Sequence, residues 1–431
     1  MMQTKLNLIM KKAAADRSMK FNNLIHLINE VNLKWCFKEL KKDKASGVDN
    51  VTLAEYGAEL DKNVKELVER MKQWKYRPQA VKRVYIKKSN GKLRPLGIPT
   101  VEDKLVQMCM KKILEAIYEV DFLDMSYGFR PGKSCHQAID RVDKIIMQNK
   151  VNYIIDADIK GFFDNVDHKL MRKCLEQRIS DQKFLRLMVR MLRNGVFEEG
   201  KVMVPEKGTP QGAVLSPVLA NIYLHYGLDV WMRRVVKKKT QGFVDIVRYC
   251  DDFVIFVESR EDAERIMREL EDRLKRCGLE LSREKSKIVR FGRNTGNARG
   301  QTFDFLGFTH FNDKTRKGYY KVGRKTEKKR LNRAIKETNI WLKKVRNLLK
   351  AKIWWKTLES KIRGHFQYYG VSGNMISLRK YYYTVVRLVK KWLNRRSQKR
   401  KYNWERFNEY LQRHPLPKPK IYHDLYTLYG F

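Results

Sequence analysis

Residues 246–256 read Ile-Val-Arg-Tyr-Cys-Asp-Asp-Phe-Val-Ile-Phe, so that two apolar runs flank a pair of adjacent acids. Apolar β-type runs on both sides of a short polar step predict a hairpin, with Asp251 and Asp252 at its turn. Two neighbouring carboxylates repel each other, which costs stability unless a cation binds there. Acidic pairs in turns are more often solvated than catalytic, so this pair alone does not decide the function.

A second acidic run lies upstream, where residues 154–159 read Ile-Ile-Asp-Ala-Asp-Ile. Alternation along a strand places Asp156 and Asp158 on one face. If this strand neighbours the hairpin, one of these acids meets the acids of the turn. Carboxylates grouped in this way can hold two Mg²⁺ ions about 3.5–4 Å apart for phosphoryl transfer.

The charge of the chain predicts a polyanionic partner. Lys and Arg total 92 against 48 Asp and Glu, which gives a formal net charge of +44. Such an excess attracts nucleic acid and makes its binding salt-dependent. A ribosome-associated or membrane-surface protein is the alternative that charge alone leaves open. The hydrophobic content of 43% is enough for folded cores.

The patterns of cysteine, histidine and hydropathy argue against several other classes of protein. The six cysteines form no CxxC pair and the eight histidines are dispersed, which argues against a zinc site or a disulfide framework. No stretch approaches the roughly 18 apolar residues that cross a bilayer, and the N-terminus lacks a signal-peptide pattern. We therefore expect a cytoplasmic protein with reduced thiols and no membrane partner.

The pattern of elements changes twice along the chain. Up to about residue 80 it predicts short basic helices, for example at 24–40. From 81 to about 308, β-branched runs alternate with helical stretches such as 102–119, which predicts an α+β domain with a mainly antiparallel sheet. From about 320 the pattern is helical and basic, and residues 321–350 contain twelve Lys or Arg.

Several motifs stand in the order found in one enzyme family. Tyr249-Cys250-Asp251-Asp252 is similar to the YxDD box of reverse transcriptases, and residues 158–164 resemble their first catalytic motif. Residues 208–222 read Gly-Thr-Pro-Gln-Gly-Ala-Val-Leu-Ser-Pro-Val-Leu-Ala-Asn-Ile, close to the long motif of group II intron enzymes. Further matches are 44–49 (RT0 loop), 91–100 (fingers), 127–132 (before the palm), 303–308 (primer grip), and 362–370 with 388–396 (thumb, or X domain, of maturases).

Over residues 40–430 the chain thus resembles the reverse transcriptase/maturase of bacterial group II introns. The resemblance implies an α+β right-hand polymerase whose fingers and palm contain an antiparallel sheet, followed by a basic α-helical thumb/X domain. The implied domains are 1–80 (N-terminal helical extension with RT0), 81–315 (fingers and palm) and 316–431 (thumb/X domain).

The resemblance also implies the catalytic residues. Asp158, Asp251 and Asp252 would form the catalytic triad and, with the backbone carbonyl of Ile159, hold two Mg²⁺ ions, for which Mn²⁺ could substitute. Asp252 is the less direct ligand, and Asp156 is the main rival of Asp158.

Five residues would bind the incoming dNTP. Phe163 matches the steric gate against a 2′-hydroxyl, with an ordinary core aromatic as the alternative. Lys88 and Arg94 match the residues that clasp the triphosphate, although Lys87 could replace Lys88. Gln211 matches the residue beside the nucleotide. Lys285 matches a lysine that protonates pyrophosphate, and a solvated surface lysine is the equal alternative.

Two small departures from the family pattern are Cys250, where Ala is usual, and Ala213, where Gly is common. No Cys/His cluster of an HNH endonuclease follows the thumb motifs, so we expect no endonuclease domain.

The predicted function is copying of an RNA template from a DNA primer, together with binding of group II intron RNA to assist splicing and mobility. Two alternatives are a maturase acting mainly as an RNA-binding splicing factor, and a domesticated reverse transcriptase in defence or DNA repair. The expected location is the bacterial cytoplasm at the nucleoid, as a monomer or a homodimer.

Overall fold

The computed structural model describes residues 2–41, 44–87, 93–204, 206–295, 301–396 and 402–426. The chain divides into two compact units. The first comprises Met1–Ala138 and Ile155–Ile288, and the second comprises Ile139–Ile154 and Val289–Phe431.

The N-terminal part of the first unit is helical. Its helices are α1 (Met2–Ala15), α2 (Glu30–Glu39), α3 (Leu53–Ala58) and α4 (Leu60–Lys72). The single helix predicted at 24–40 is wrong in its first part, where Ile25–Leu27 form a short 3₁₀ turn. Helix α2 begins later because the Asn29 side chain accepts a hydrogen bond from the Asn32 backbone N–H at 3.1 Å, which caps the helix there.

A small sheet follows these helices. Its strands are β1 (Val81–Lys87), β2 (Leu93–Ile98), β4 (Val196–Glu198) and β5 (Lys201–Met203), in the order β2-β1-β4-β5. Strands β1 and β2 pair antiparallel, while β1 and β4 pair parallel. The hairpin β1–β2 contains the segment that resembles the polymerase fingers.

The central sheet carries the acidic motifs. Its strands are β3 (Tyr153–Asp158), β6 (Val244–Tyr249), β7 (Asp252–Val257) and β8 (Lys287–Arg290), in the order β6-β7-β3-β8. In β7, all five residues from Phe253 to Val257 are buried. A continuous apolar run of this length is typical of a strand covered on both faces.

Further helices complete this part of the chain: α5 (Val101–Tyr118), α6 (Cys135–Gln148), α7 (Phe162–Asn165), α8 (His168–Glu176), α9 (Gln182–Leu192), α10 (Ser216–Leu224), α11 (Lys237–Lys239) and α12 (Arg260–Arg276). Between α10 and α11 the backbone is π-helical at His225–Asp229 and Met232–Val236. The mixture of helices with mainly antiparallel strands fits a right-hand polymerase.

The second unit combines a three-stranded antiparallel sheet with long helices. Its elements are β9 (Thr302–Phe305), β10 (Phe308–Lys314), β11 (Tyr320–Thr326), α13 (Lys328–Leu348), α14 (Ala351–Tyr369), α15 (Met375–Asn394) and α16 (Trp404–Arg413). Side chains from the four helices form one apolar core, with Trp354, Ile362 and Val385 among its most buried members. The predicted domain boundaries at 80 and 315 stay a prediction.

One part of the sequence prediction for this unit is wrong. Residues 321–326, expected to be helical, belong to β11, which pairs with β10 from Tyr320 opposite Lys314 to Thr326 opposite Phe308. The misleading residue is Arg324, which is fully buried and forms an ion pair with Asp143 at 2.5 Å. A cation at a buried position hides the alternation that would have indicated a strand.

Within the described residues, the search for an apolar helix of membrane-spanning length finds none.

Candidate active site

The acidic pair lies at the turn of a tight hairpin. Tyr249 pairs with Asp252, so Cys250 and Asp251 alone connect β6 to β7. Cys250 has a φ of 60°, in the left-handed region that two-residue hairpin turns require. Asp251 is partly buried, and Asp252 is exposed at the first position of β7.

A neighbouring segment supports this turn through close backbone contact. The Tyr127 N–H donates to the Arg248 carbonyl at 2.8 Å, and the Arg248 N–H donates to the Met125 carbonyl at 2.8 Å. A Cβ atom on Gly128 would lie only 2.4 Å from the Cys250 backbone nitrogen. Glycine is therefore required at 128 for the backbone to approach the acidic turn this closely.

A buried polar network lies directly beneath the turn. Arg248 donates to both carboxylate oxygens of Asp229, at 2.7 and 2.5 Å, and neither side chain is exposed. Its Nη1 also donates to the Cys250 carbonyl at 3.0 Å and to the Asn221 side chain at 3.1 Å. Asn221 in turn donates to the Gly128 carbonyl at 2.6 Å.

The sequence patterns indicated no role for Arg248, Asp229 or Asn221. A signal was present for Arg248, because a charged residue within an apolar strand run must find a buried partner. Asn221 stands in the long 208–222 motif, but its contacts depend on segments distant in sequence.

Asp158 ends the strand that lies next to β7 in the sheet. The Lys285 ammonium lies 2.5 Å from Asp158 Oδ2. The backbone of Asp158 is fixed by the same loop, since its carbonyl accepts from the Ser282 N–H at 2.8 Å and its N–H donates to Ser286 Oγ at 3.2 Å. Lys285 therefore contacts Asp158, although most of its side chain is exposed to solvent.

Asp158 and Asp251 are close enough to influence each other. Burial raises the pKa of the Asp251 carboxyl, the negative charge of Asp158 raises it further, and the positive charge of Arg94 lowers it. The charges of Asp158 and Arg94 therefore both act on the Asp251 carboxyl.

The remaining candidate ligands are less closely grouped. Among the described residues, no three or more His, Cys, Asp or Glu side chains form a cluster that could hold a metal ion, and the catalytic role of Asp252 stays a prediction. Ile159 is buried and bridges to Leu281. Asp156 lies 3.9 Å from Lys287.

The loop at 208–212 packs against the helix that presents Phe163. The Thr209 N–H donates to the Phe163 carbonyl at 2.7 Å. Gly208 has a φ of 94°, and a Cβ atom there would lie 2.9 Å from the same carbonyl. The Phe163 ring is partly buried and packs edge-on against Phe162, with ring centroids 5.2 Å apart.

The same loop contacts the fingers strand that carries Arg94. The Gln211 carbonyl accepts from the Gly97 N–H at 2.7 Å, and a Cβ atom on Gly97 would lie 3.1 Å from Pro210 Cβ. Arg94 is exposed and stands three residues before Gly97 on β2. The loop that carries Gln211 is therefore held against the strand that carries Arg94. Lys88 lies outside the described residues, as does the side chain of Lys87.

These features, a sheet with an acidic hairpin turn beside an acid-bearing strand, fit a nucleotidyl-transferring polymerase. A family profile described as reverse transcriptase (RNA-dependent DNA polymerase) matches residues 86–310, just over half of the 431 residues. The chain belongs to this reverse transcriptase family and is an RNA-directed DNA polymerase.

Individual proteins that are similar in sequence show which kind of reverse transcriptase the chain resembles. The chain is 33% identical over 349 residues to protein YkfC of Escherichia coli K12, which covers 72% of this chain and 88% of that protein. It is 37% identical over 237 residues to the group II intron-encoded protein LtrA of Lactococcus lactis, which covers 53% of this chain but 36% of LtrA. A yeast protein, the COX1/OXI3 intron 2 protein, is 33% identical over 266 residues, or 60% of this chain and 29% of that protein. The resemblance to group II intron reverse transcriptases is confirmed.

Proposed function

We propose that this protein copies RNA into cDNA from a DNA primer, with Asp158 and Asp251 as its principal metal ligands and Asp252 as the third acid. The observation that carries this proposal is that Asp158 ends β3, while Asp251 lies in the turn that leads into the adjacent strand β7, close enough for the negative charge of Asp158 to raise the pKa of the Asp251 carboxyl. Two anions held together in a partly buried site favour cation binding, because a cation offsets their repulsion.

The donor set suits Mg²⁺. Carboxylate and carbonyl oxygens are the hard ligands that Mg²⁺ and Mn²⁺ prefer. Asp158 and Asp251, with the Ile159 carbonyl and Asp252, would hold two such ions, which would polarise the transferring phosphate and neutralise its charge. In the present arrangement Lys285 supplies the positive charge next to Asp158.

The other predicted residues surround this position and would bind the dNTP. Arg94 brings a guanidinium fork that suits phosphate oxygens, and Lys88 would act with it from the same hairpin. Gln211 would lie beside the nucleotide, since its loop is fixed to β2. Phe163 would exclude a 2′-hydroxyl. Lys285 would protonate the leaving pyrophosphate, because its ammonium group lies at the carboxylates and is also solvent-accessible.

The second unit would serve as the thumb/X domain and contact RNA. Its helices place cations over aromatic rings, with Arg346 4.5 Å from the Trp392 centroid and Lys390 4.3 Å from the Trp404 centroid. Helix α13 carries a row of exposed lysines. Aromatic rings beside cations can stack on bases and bind phosphates.

We further propose that the RNA it recognises is a group II intron, whose splicing and mobility it assists. Similarity to LtrA and to the yeast intron-encoded proteins supports this role. The intron RNA would then be both a bound partner and the template for cDNA.

Primer extension on an RNA template with Mg²⁺ tests the active site. We expect Asp158→Asn and Asp251→Asn to lower cDNA yield by on the order of 100-fold or more, because each removes a charged metal ligand. Asp245→Asn, at the far end of the same hairpin opposite Phe256, is the matched control and should retain activity. Asp156→Asn tests the rival ligand. Full activity in Asp251→Asn would refute the assignment, and loss only in Asp156→Asn would transfer the role of Asp158 to Asp156.

A further inference from the structure

A polar cavity lies in the first unit, and its lining includes none of the acidic residues of the polymerase site. It has a volume of about 710 Å³ and is bordered by four stretches of chain. They are the segment after α1, the loop after α5, the residues that follow α8, and the π-helical backbone after α10. Its size is within the range of pockets that bind small molecules.

The wall of this cavity is strongly basic. Five of its side chains are cations and one is an acid, Asp121: the cations are Arg17, Lys20, Arg178, Arg233 and Arg234. Five like charges around one cavity repel each other, and an anion bound there would offset the repulsion. The cavity therefore favours an anionic ligand.

Arg178 is the buried anchor of this site. Its side chain is only 2% exposed, yet its guanidinium is incompletely bonded. Nη2 donates to the Ala13 carbonyl at 2.9 Å, and Nε lies 3.4 Å from Asp121 Oδ2 without forming a hydrogen bond. Nη1 has no hydrogen-bond partner among the described residues. A buried donor without an acceptor is costly, so an acceptor supplied by a ligand would stabilise it.

His225 adds a second incompletely bonded group to the same wall. It is 5% exposed, and its Nδ1 has no hydrogen-bond partner within the described parts of the chain. Burial lowers the pKa of His225 to about 4, so the ring is neutral at pH 7 and carries one N–H donor. It lies in the first π-helical stretch, a backbone form that is common at functional sites.

We infer that this cavity binds a phosphate group, through Arg178 and His225 in its wall and Arg233 and Arg234 at its surface. Guanidinium groups bind phosphate oxygens by paired, charge-assisted hydrogen bonds, which matches the donors available here. The phosphate could come from an RNA strand or from a free phosphorylated compound, since the chemistry of recognition is the same. The site shares no lining residue with the polymerase site and does not depend on its function.

Isothermal titration of the full chain with inorganic pyrophosphate, in EDTA to prevent metal-dependent binding at the polymerase site, tests this inference. We expect one saturable site per chain. Arg233→Gln/Arg234→Gln removes two exposed cations without disturbing the core, and should weaken binding by about 10-fold or more. Arg260→Gln/Arg268→Gln, on the exposed face of α12, removes the same charge and should change the affinity by less than about twofold. Arg94→Gln should also leave it unchanged.

Competition then distinguishes the two sources of phosphate. If a short RNA without terminal phosphates displaces pyrophosphate from the wild-type chain, the natural ligand is a strand phosphate. If the RNA does not displace pyrophosphate, the natural ligand is a free phosphorylated compound. Either result is consistent with a phosphate-binding site in this cavity. Absence of saturable pyrophosphate binding, equal weakening by the α12 variant, or loss of binding in Arg94→Gln would each overturn the inference.

Discussion

The side chain of Arg248 links the buried Asp229 to the backbone of the acidic turn. Its guanidinium is fully buried, pairs with Asp229 and donates to the Cys250 carbonyl. Removing one partner of a buried ion pair leaves an unpaired charge and costs about 3–5 kcal/mol. We expect Arg248→Met to lower the free energy of unfolding by roughly this amount, as measured by urea unfolding.

A double variant separates stability from positioning. Arg248→Met/Asp229→Leu replaces both charges by apolar groups and should recover much of the lost stability. Its primer extension should stay low, because the Cys250 carbonyl and Asn221 no longer share a donor beneath the turn. Full activity in the stable double variant would show that the network does not position the acidic turn.

At the scale of elements, the hairpin depends on its contact with the 125–128 segment. Gly128→Ala would place a methyl group 2.4 Å from the Cys250 backbone nitrogen. The turn must move, and displacement of a catalytic group by about 1 Å can cost on the order of 100-fold in rate. We expect cDNA synthesis to fall by about 10- to 100-fold. Gly132→Ala is the control, because its Cβ meets nothing within 4 Å although its φ of 70° adds strain. Equal loss of activity in both variants would contradict the proposed role of the contact.

Helix α14 contains a histidine that makes the second unit sensitive to acid. Burial lowers the pKa of His365 to about 4, and its ring stacks on Tyr381 with centroids 3.8 Å apart. Because the unfolded chain binds the proton more readily, stability is lost as the pH falls from about 6.5 towards 4. We expect this loss to be smaller in His365→Phe by roughly 1–3 kcal/mol. Thermal unfolding at pH 7 and pH 4.5 measures it, and an identical pH dependence in both proteins would exclude His365 as the cause. The buried His310, whose pKa is also lowered by burial, should contribute to the sensitivity that remains in His365→Phe.

Local patterns predicted the hairpin, because its apolar runs and acidic step are adjacent in sequence. They failed at β11, where the buried Arg324 depends on Asp143, 181 residues away. They also failed before α2, where a side-chain cap fixed the start of the helix. Lys285 could be placed only by family resemblance, since its contact with Asp158 joins residues 127 apart. The sequence alone thus predicted which acids form the candidate site. The residues that hold those acids in place became visible only in the tertiary contacts of the structure.

At the scale of the whole molecule, the charge of +44 should make RNA binding strongly salt-dependent. Each phosphate contact on single-stranded RNA contributes about 0.7 to the slope of log affinity against log salt concentration. The exposed lysines of α13 are candidates for these contacts, since the structure records no ion pair for them among the described residues. A variant that replaces four of them by Gln tests this: Lys329, Lys336, Lys343 and Lys344.

We expect the α13 variant to bind RNA less tightly and to lower the salt slope by between about 1 and 3, as measured by filter binding over a range of KCl concentrations. The matched control removes four cations from α12 in the first unit: Arg260, Arg268, Lys275 and Arg276. Two of these, Arg260 and Lys275, are already paired with acids on the same helix, so their loss should change the slope little. An equal change of the salt slope in both variants would mean that RNA affinity depends on the total charge of the chain and not on the position of the lysines. A change confined to α13 would support the second unit as the RNA-binding thumb, because only local phosphate contacts release counterions there.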